Sequence, residues 1–333
     1  MRIAINGFGR IGRTFLRTVL QDKQTEKKLE VVAINIGSAQ MEFIGHMFKY
    51  DTIMGSYPGA VSNNDAQLVI DTHTIEILKQ TDPLKCAWKD HNIDWVVDAS
   101  GAFTHRQKAE LHIKAGAKKV LITAPAQEED ISIIPGVNLN LFDDAKHAIV
   151  SLGSCTTNAF MPMLKILHDN FKITHGFMNT VHAYTNSQVL LDVEANDLRM
   201  CRAAALNIIP ATTGASKMIG KIIPELAMVI KASALRVPVP IVSLIDLCVT
   251  LQKTVTVTDI NAAFEKSSQS SLKNIVSISQ DPLVSNDFKG NPSSVIIDAL
   301  STEVVGNMAK VMGWYDNEWG YCQRLKDFLL AVC

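Results

Sequence analysis

Short apolar runs punctuated by glycine open the chain: Arg2 to Ile5, a Gly-rich turn, a helical pattern through Leu20, and a second apolar run from Leu29 to Ile34. A strand buried on both faces reads as a continuous apolar run, and a crossover helix reads as a helical repeat, so this order predicts a βαβ unit. Further runs at Trp95 to Asp98, Lys119 to Ile122 and Ala148 to Ser151, with a helix-like stretch from His105 to Ala115, extend it to an open parallel sheet. After residue 154 the texture changes. Longer β-rich runs at Gly176 to His182, Ser233 to Val237, Val242 to Thr250 and Ser294 to Asp298, with a helical segment at Asp259 to Lys266, predict a second, mostly antiparallel α+β domain. Between them, Ala183 to Pro210 has weak periodicity and reads as a long ordered loop, a kind of segment that often carries function. Gln323 to Cys333 reads as an amphipathic helix.

The turn after the first strand is Gly7-Phe8-Gly9-Arg10-Ile11-Gly12, a G-x-G-x-x-G pattern at the head of a helix. In that setting Gly7 permits the tight turn, Gly9 lets a pyrophosphate approach the backbone, and Gly12 allows close helix packing, while open N–H groups at the helix start hold phosphate oxygens. The expected fold is therefore α/β: a Rossmann-type dinucleotide-binding domain over 1–154, joined by a C-terminal helix at 323–333, and an α+β catalytic domain over 155–322. The usual acidic anchor for the adenosine ribose is missing. Where the second strand ends, Asn35-Ile36-Gly37-Ser38 puts the apolar Ile36 at the expected carboxylate position, and without that negative charge a 2′-phosphate is not repelled. NAD and NADP both stay open as cofactor.

A chain of 333 residues has room for two domains at about 150 residues each. Its 32 Lys and Arg balance 33 Asp and Glu, so no global field favours a nucleic acid or an acidic membrane, and any anionic ligand must be held locally. The N-terminus reads as folded structure rather than a signal, and no apolar run reaches the length of about 18 residues that a membrane span needs. Six cysteines (Cys86, Cys155, Cys201, Cys248, Cys322, Cys333) show neither paired nor metal-like spacing, which points away from disulfides and zinc and toward a reducing cytoplasm.

Gly153-Ser154-Cys155-Thr156-Thr157-Asn158 precedes a helical pattern from Ala159 to Leu167, so Cys155 stands near a helix N-terminus, where the macrodipole favours thiolate. A lone cysteine in an apolar stretch is commonly an inert core residue, yet this one has polar neighbours on both sides. His182, in Thr180-Val181-His182-Ala183-Tyr184-Thr185, offers a general base if the fold brings it to the sulfur. Spacing alone does not show that the two meet.

Taken together these motifs resemble the glyceraldehyde-3-phosphate dehydrogenase family, of the phosphorylating bacterial type, over essentially the whole chain. The resemblance runs from INGFGRIGR (Ile5 to Arg13) through KYD (Lys49 to Asp51), AGAKKVLITAP (Ala115 to Pro125), GVN (Gly136 to Asn138), SCTTN (Ser154 to Asn158), HAYT (His182 to Thr185), NIIPATTGASK (Asn207 to Lys217) and LRVPVP (Leu235 to Pro240) to WYDNEWGY (Trp314 to Tyr321). It implies that Cys155 attacks an aldehyde to give a hemithioacetal, that His182 raises thiolate content and accepts the hydroxyl proton as hydride leaves for nicotinamide, and that inorganic phosphate releases the resulting thioester as 1,3-bisphosphoglycerate. By the same resemblance Arg10 and Ile11 line the cofactor pyrophosphate, Thr123 lies along the cofactor, and Asn317 holds the nicotinamide carboxamide. Two anion sites, for the phosphorylated aldehyde and for phosphate, are implied to draw on Thr185 and Arg236, and on Ser154, Thr156, Thr213 and Gly214. A homotetramer is implied as well.

Departures are informative. Leu152-Gly153 replaces the frequent Asn-Ala before SCTTN, Ala159 replaces a second cysteine, Met200 stands where many bacterial members carry a basic residue, and Glu194 stands near the place of a proline common in strictly NAD-using members. Arg199 and Arg202 are candidates to compensate for Met200. Two rival readings are oxidation of erythrose 4-phosphate on the same fold, with water resolving the thioester, and a non-catalytic nucleotide-binding scaffold. The ordinary HAYT and TTGASK segments favour the phosphorylating reaction over the first, and intact Cys155 and His182 over the second.

Overall fold

The computed structural model describes residues 1–195 and 197–333, in two compact units. One comprises Met1–Ile133, Leu139–Gly153 and Cys322–Cys333; the other comprises Ile134–Asn138 and Ser154–Tyr321. Asn196, inside the long loop expected at Ala183 to Pro210, lies outside the described residues.

The first unit runs β1 (Arg2–Asn6), α1 (Arg10–Leu20), α2 (Lys23–Glu26), β2 (Glu30–Asn35), α3 (Met41–Lys49), β3 (Val61–Asn63), β4 (Gln67–Ile70), β5 (His73–Leu78), β6 (Trp95–Asp98), α4 (Arg106–Lys114), β7 (Lys119–Ile122), β8 (Ile131–Ser132) and β9 (Ile149–Ser151). Its nine strands lie in the order β3-β4-β5-β2-β1-β6-β7-β9-β8. From β5 to β8 every neighbouring pair is parallel, as the continuous apolar runs require. All of β6 is buried, and Ile3, Ala4 and Ile5 of β1 are fully enclosed. The β3-β4-β5 margin is antiparallel instead, a feature the sequence reading left out. Its strands alternate buried and exposed positions, and at three to six residues they are too short to stand out as periodic runs.

The second unit runs α5 (Cys155–Phe171), β10 (Ile173–Ala183), β11 (Ile209–Ala211), α6 (Ala215–Ile222), β12 (Ile230–Val237), β13 (Ser243–Leu251), α7 (Val257–Gln269), β14 (Val276–Ser279), β15 (Val295–Val305) and β16 (Met308–Tyr315). The sheet order is β11-β12-β10-β13-β16-β15-β14. Four of its six pairings are antiparallel; β10 with β12 and β14 with β15 are parallel. Its core is built on α5, whose Phe160, Met161, Met163, Leu164 and Leu167 are fully buried in one cluster with Met178, Ile245, Leu247 and Val311 from the sheet. Leu164→Ala is expected to cost about 2–5 kcal/mol, because a cavity remains where the side chain was; urea unfolding of the variant and parent measures it.

A last helix, α8 (Trp319–Ala331), begins before the predicted Gln323. Asp316 sets the start: Oδ1 accepts from the N–H groups of Glu318 and Trp319 at 2.9 and 2.8 Å, and Oδ2 accepts from Gly290 N–H at 2.7 Å. Within the first unit, Phe328 of this helix meets Trp95 of β6 edge-on, with ring centroids 5.5 Å apart.

Candidate active site

The turn from β1 into α1 has the backbone that its glycines allow. Gly7 sits at φ +90°, and a Cβ there would come within 2.6 Å of the Ser100 backbone, so no larger residue fits. A Cβ on Gly12 would meet the Gly7 carbonyl oxygen at 2.3 Å, whereas above Gly9 there is open space within 4 Å. No side chain caps α1 and its first turn holds no acidic residue. A helix start of this kind fits a pyrophosphate, whose oxygens take the place of the missing cap. Arg10 reaches Asp51 of the KYD motif at 2.6 Å, which orients its guanidinium beside the turn.

Beneath the turn lies a polar network. Asp98, 2% exposed at the end of β6, accepts from Asn6 Nδ2 at 2.9 Å, from Ser100 N–H at 3.0 Å and from Ser100 Oγ–H at 2.8 Å. His112 completes it: Trp88 Nε1–H donates to Nδ1 at 3.1 Å, which leaves the ring proton on Nε2, 3.1 Å from Asp98 Oδ2. Thr123 Oγ1–H donates to the Asp98 carbonyl at 2.9 Å. Thus the polar residues that close the apolar runs of β1 and β6 fix the loop into which Gly7 packs, a role the sequence reading missed. Each run ending in Asn or Asp was the available signal. At the end of β2, Ile36 is 7% exposed, and Asn35 turns its side chain inward to Asn6 Oδ1 at 2.8 Å.

In the second unit Cys155 is the first residue of α5. Gly153 at φ +60° delivers the chain, and Ser154 caps the helix by accepting from Thr157 N–H at 3.1 Å. The left-handed backbone at 153 accounts for glycine at a place where the resemblance leads one to expect alanine. Ala159 is fully buried, so the position of the absent second cysteine belongs to the core.

Cys155 Sγ lies 3.5 Å from His182 Nε2. His182 is carried there by β10, whose parallel register with β12 sets Arg236 beside it. Arg236 Nη1 stands 2.7 Å from His182 Nδ1 and 3.2 Å from the Ala183 carbonyl, which is itself 2.7 Å from Nδ1. Tyr315, buried on β16, meets the imidazole edge-on with centroids 6.0 Å apart, and its hydroxyl bridges Thr156 Oγ1 at 3.0 Å and Thr180 Oγ1 at 2.7 Å. Ser243 receives Ala183 N–H at 3.1 Å and donates to Asn317 Oδ1 at 3.2 Å, tying Asn317 to the end of the histidine strand. Neither Tyr315 nor Ser243 carried a sequence signal of its own.

Electrostatics refine the expectation of a helix-stabilised thiolate. Burial pushes the Cys155 thiol up, against the charge of Arg236 and the hydrogen bonds of Thr156. Burial, with the Arg236 charge second, pushes His182 down to about 4. Both shifts run toward the uncharged forms, thiol and neutral imidazole.

Of the other expected residues, Thr185 shares a hydroxyl contact with Ser187 at 2.9 Å, Thr213 Oγ1 accepts from Ala215 N–H at 3.2 Å, and Gly214 caps α6. These bonds are local to their own turns. An open cleft of about 720 Å³ is lined by Arg199, Met200, Thr212, Ser233 and Arg236 among others. Arg202 is engaged elsewhere, 2.6 Å from Asp192, which leaves Arg199 as the cation beside Met200.

Comparison with known proteins gives matches in both units. The family model for the glyceraldehyde 3-phosphate dehydrogenase NAD binding domain matches residues 1–106, and that for the C-terminal domain matches residues 154–317. A glyceraldehyde-3-phosphate dehydrogenase of Priestia megaterium is 46% identical over 98% of this chain and 96% of its own length. Glyceraldehyde-3-phosphate dehydrogenase 1 of Bacillus subtilis is 46% identical over 100% of this chain and 98% of its own, and the Geobacillus stearothermophilus enzyme is 45% identical with the same coverage. From its two matched domains and its full-length relatives, this chain belongs to the glyceraldehyde-3-phosphate dehydrogenase family.

Proposed function

We propose that the protein oxidises D-glyceraldehyde 3-phosphate to 1,3-bisphosphoglycerate, with uptake of inorganic phosphate, in glycolysis or gluconeogenesis. The observation that carries this reading is the 3.5 Å approach of Cys155 Sγ to His182 Nε2 at the head of α5 in a member of this family. Cys155 is the nucleophile: its sulfur adds to the aldehyde carbon, and the alkoxide that forms is stabilised by the Cys155 N–H and by His182. His182 then takes the hydroxyl proton of the hemithioacetal. When bound, the nicotinamide dinucleotide supplies the hydride acceptor, held by Gly7, Gly9, Arg10, Ile11, Gly12, Thr123 and Asn317. The thioester on Cys155 is opened by phosphate, for which Ser154, Thr156, Thr213 and Gly214 provide hydroxyls and N–H groups. Thr185 and Arg236 receive the phosphate of the substrate, with Arg199 as a second cation in the cleft.

In this reading residues 1–154 with the C-terminal helix 323–333 bind the dinucleotide, and 155–322 hold the chemistry. The cofactor is NAD or NADP, since Ile36 neither anchors a ribose hydroxyl nor repels a 2′-phosphate. The protein works in the cytoplasm as a homotetramer. Exposed apolar side chains on the long loop, Leu190, Leu191 and Leu198 at 85%, 73% and 91%, support assembly, because patches of this kind are commonly covered by a partner.

Turnover of glyceraldehyde 3-phosphate with each cofactor, with and without inorganic phosphate, tests the reaction. Reduction of NAD or NADP is expected to depend on phosphate, and absorbance at the reduced nicotinamide band measures it. Phosphate-independent turnover, with erythrose 4-phosphate preferred, would replace this reading by the hydrolytic one.

A further inference from the structure

Three buried polar side chains share the last rung of the first sheet. Asn35, Asn6 and Asp98 end β2, β1 and β6, and the strand registers set Asn6 opposite both of the others. In an open parallel sheet a dinucleotide lies just beyond such strand ends. Asn35 Nδ2–H donates to Asn6 Oδ1 at 2.8 Å, and Asn6 Nδ2–H donates to Asp98 Oδ2 at 2.9 Å. Chemistry fixes this direction: a carboxylate only accepts, so Asn6 turns its amide nitrogen to Asp98 and keeps its oxygen for Asn35. Asn35 Oδ1 is left to accept from Gln80 N–H at 2.9 Å and from Gly37 N–H at 3.4 Å, the latter within the turn from Ile36 to Ala39. The anchor of the ribose turn thus traces back to one charge on β6.

His112, fully buried on α4, governs that charge. Each of its ring nitrogens has a single partner, and each partner allows one role. Trp88 Nε1–H only donates, so Nδ1 holds a lone pair, and the one ring proton on Nε2 goes to Asp98 Oδ2 at 3.1 Å. Asp98 accepts four hydrogens in all, from Asn6, from His112 and from the N–H and Oγ–H of Ser100, so a proton on either oxygen would face a donor. The carboxylate keeps its charge with no cation among its contacts with the described residues. Such a charge is costly to bury, and a second proton on the imidazole would be the simple relief. Trp88 blocks it, because an Nδ1–H would point at the indole N–H.

We propose that Trp88 and His112 lock the charge of Asp98, and that this charge, passed through Asn6 to Asn35, holds the strand ends of the cofactor crevice in their binding geometry. His112 is thereby a positioning residue for the dinucleotide. This rests on the dinucleotide reading of the glycine turn and adds residues that touch no ligand.

The lock has a signature in pH. His112 meets Trp88, Asp98 and the ring of Phe103, whose centroid is 5.3 Å away, and of these Asp98 alone ionises. On the elements around it, Cys86 stays a neutral thiol because burial pushes it up to about 12, Lys119 of β7 is turned to Asp144 at 2.9 Å, His91 faces Glu76 at 3.6 Å, and Lys89 and Asp90 are exposed. With the lock closed, the network carries one charge across the range in which histidines ordinarily titrate. With the indole N–H removed, the imidazole takes a second proton as the pH falls, still donates to Asp98, and neutralises it. A negative charge near an anionic ligand is then lost, so cofactor affinity rises on acidification.

Calorimetric titration of the full chain with NAD and with NADP, near pH 8 and near pH 6, tests this beside steady-state turnover. Asp98→Asn keeps the shape but must aim an amide N–H at one of four donors. Its dissociation constant for the tighter-binding dinucleotide is expected to rise about tenfold or more, with the loss in KM rather than in kcat. His112→Leu is expected to do the same. His112→Gln, which keeps an N–H for Asp98 and an oxygen for Trp88, is expected to stay within about threefold of the parent. Trp88→Phe is expected to bind more tightly near pH 6 than near pH 8, by about threefold or more beyond the parent's own ratio. Circular dichroism shows which variants fold, and if Asp98→Asn and His112→Leu do not, the pH ratio of Trp88→Phe decides. Parent affinity in folded Asp98→Asn or His112→Leu, or a Trp88→Phe ratio equal to the parent's, overturns the lock alone. A parent that binds neither dinucleotide overturns the reading of the glycine turn and the lock with it.

Discussion

Cys155→Ala is expected to lower phosphate-dependent oxidation of glyceraldehyde 3-phosphate by on the order of 10⁵-fold or more, the scale seen when a covalent catalyst loses its nucleophile. No other described cysteine substitutes for it: Cys86 and Cys322 are buried in the first unit, and Cys201, Cys248 and Cys333 have no imidazole within hydrogen-bond reach in the contacts of the described residues. The fold should survive, because the helix start depends on the Ser154 hydroxyl and not on the sulfur. Steady-state turnover with either cofactor checks the prediction, alongside the circular dichroism of the variant. Retention of more than a few per cent of parent activity would remove Cys155 from the mechanism.

Replacement of His182 by asparagine comes second, with a loss of roughly 10²–10⁴-fold in turnover, as for removal of a general base. Asparagine keeps a polar group near the Ala183 carbonyl but has no lone pair basic enough to take the thiol or hemithioacetal proton. A second readout follows from linkage. The folded chain holds His182 near 4, below its usual 6.5, so between these values the unfolded chain binds a proton that the folded chain refuses. A depressed histidine therefore leaves stability intact above 6.5 and erodes it as the pH falls toward 4, by up to about 1.4 kcal/mol per pH unit. His182→Asn should flatten that part of the stability profile, measured by thermal melts from pH 7 downward. A variant with parent activity, or with an unchanged acid slope, would contradict the assignment.

The two substitutions probe different things. Cys155 tests covalent chemistry, and His182 tests proton transfer together with the burial that tunes it. Their joint effect should fall well short of the product of the two, because the pair, 3.5 Å apart, acts as a unit on one reacting centre.

The sequence by itself determined the elements whose physics is local. A Gly7-Gly9-Gly12 turn between an apolar run and a helix specifies its own backbone, since only glycine takes φ +90° at position 7 beside Ser100, and the continuous apolar runs of β1, β6 and β7 specify burial on both faces. Ser154 ahead of a helical pattern placed Cys155 at a helix start for the same kind of reason. What only the tertiary structure decided is long-range. The distance from Cys155 to His182 is set by α5 packing on a sheet in which β10 and β12 pair in parallel, and that register also brings Arg236 to the imidazole. No pattern along the chain encodes it, because residues 182 and 236 become neighbours only when strands far apart in sequence share a ladder. The acidity of the sulfur was equally out of reach: the helix dipole is a local property, but the burial that opposes it depends on everything folded around the site.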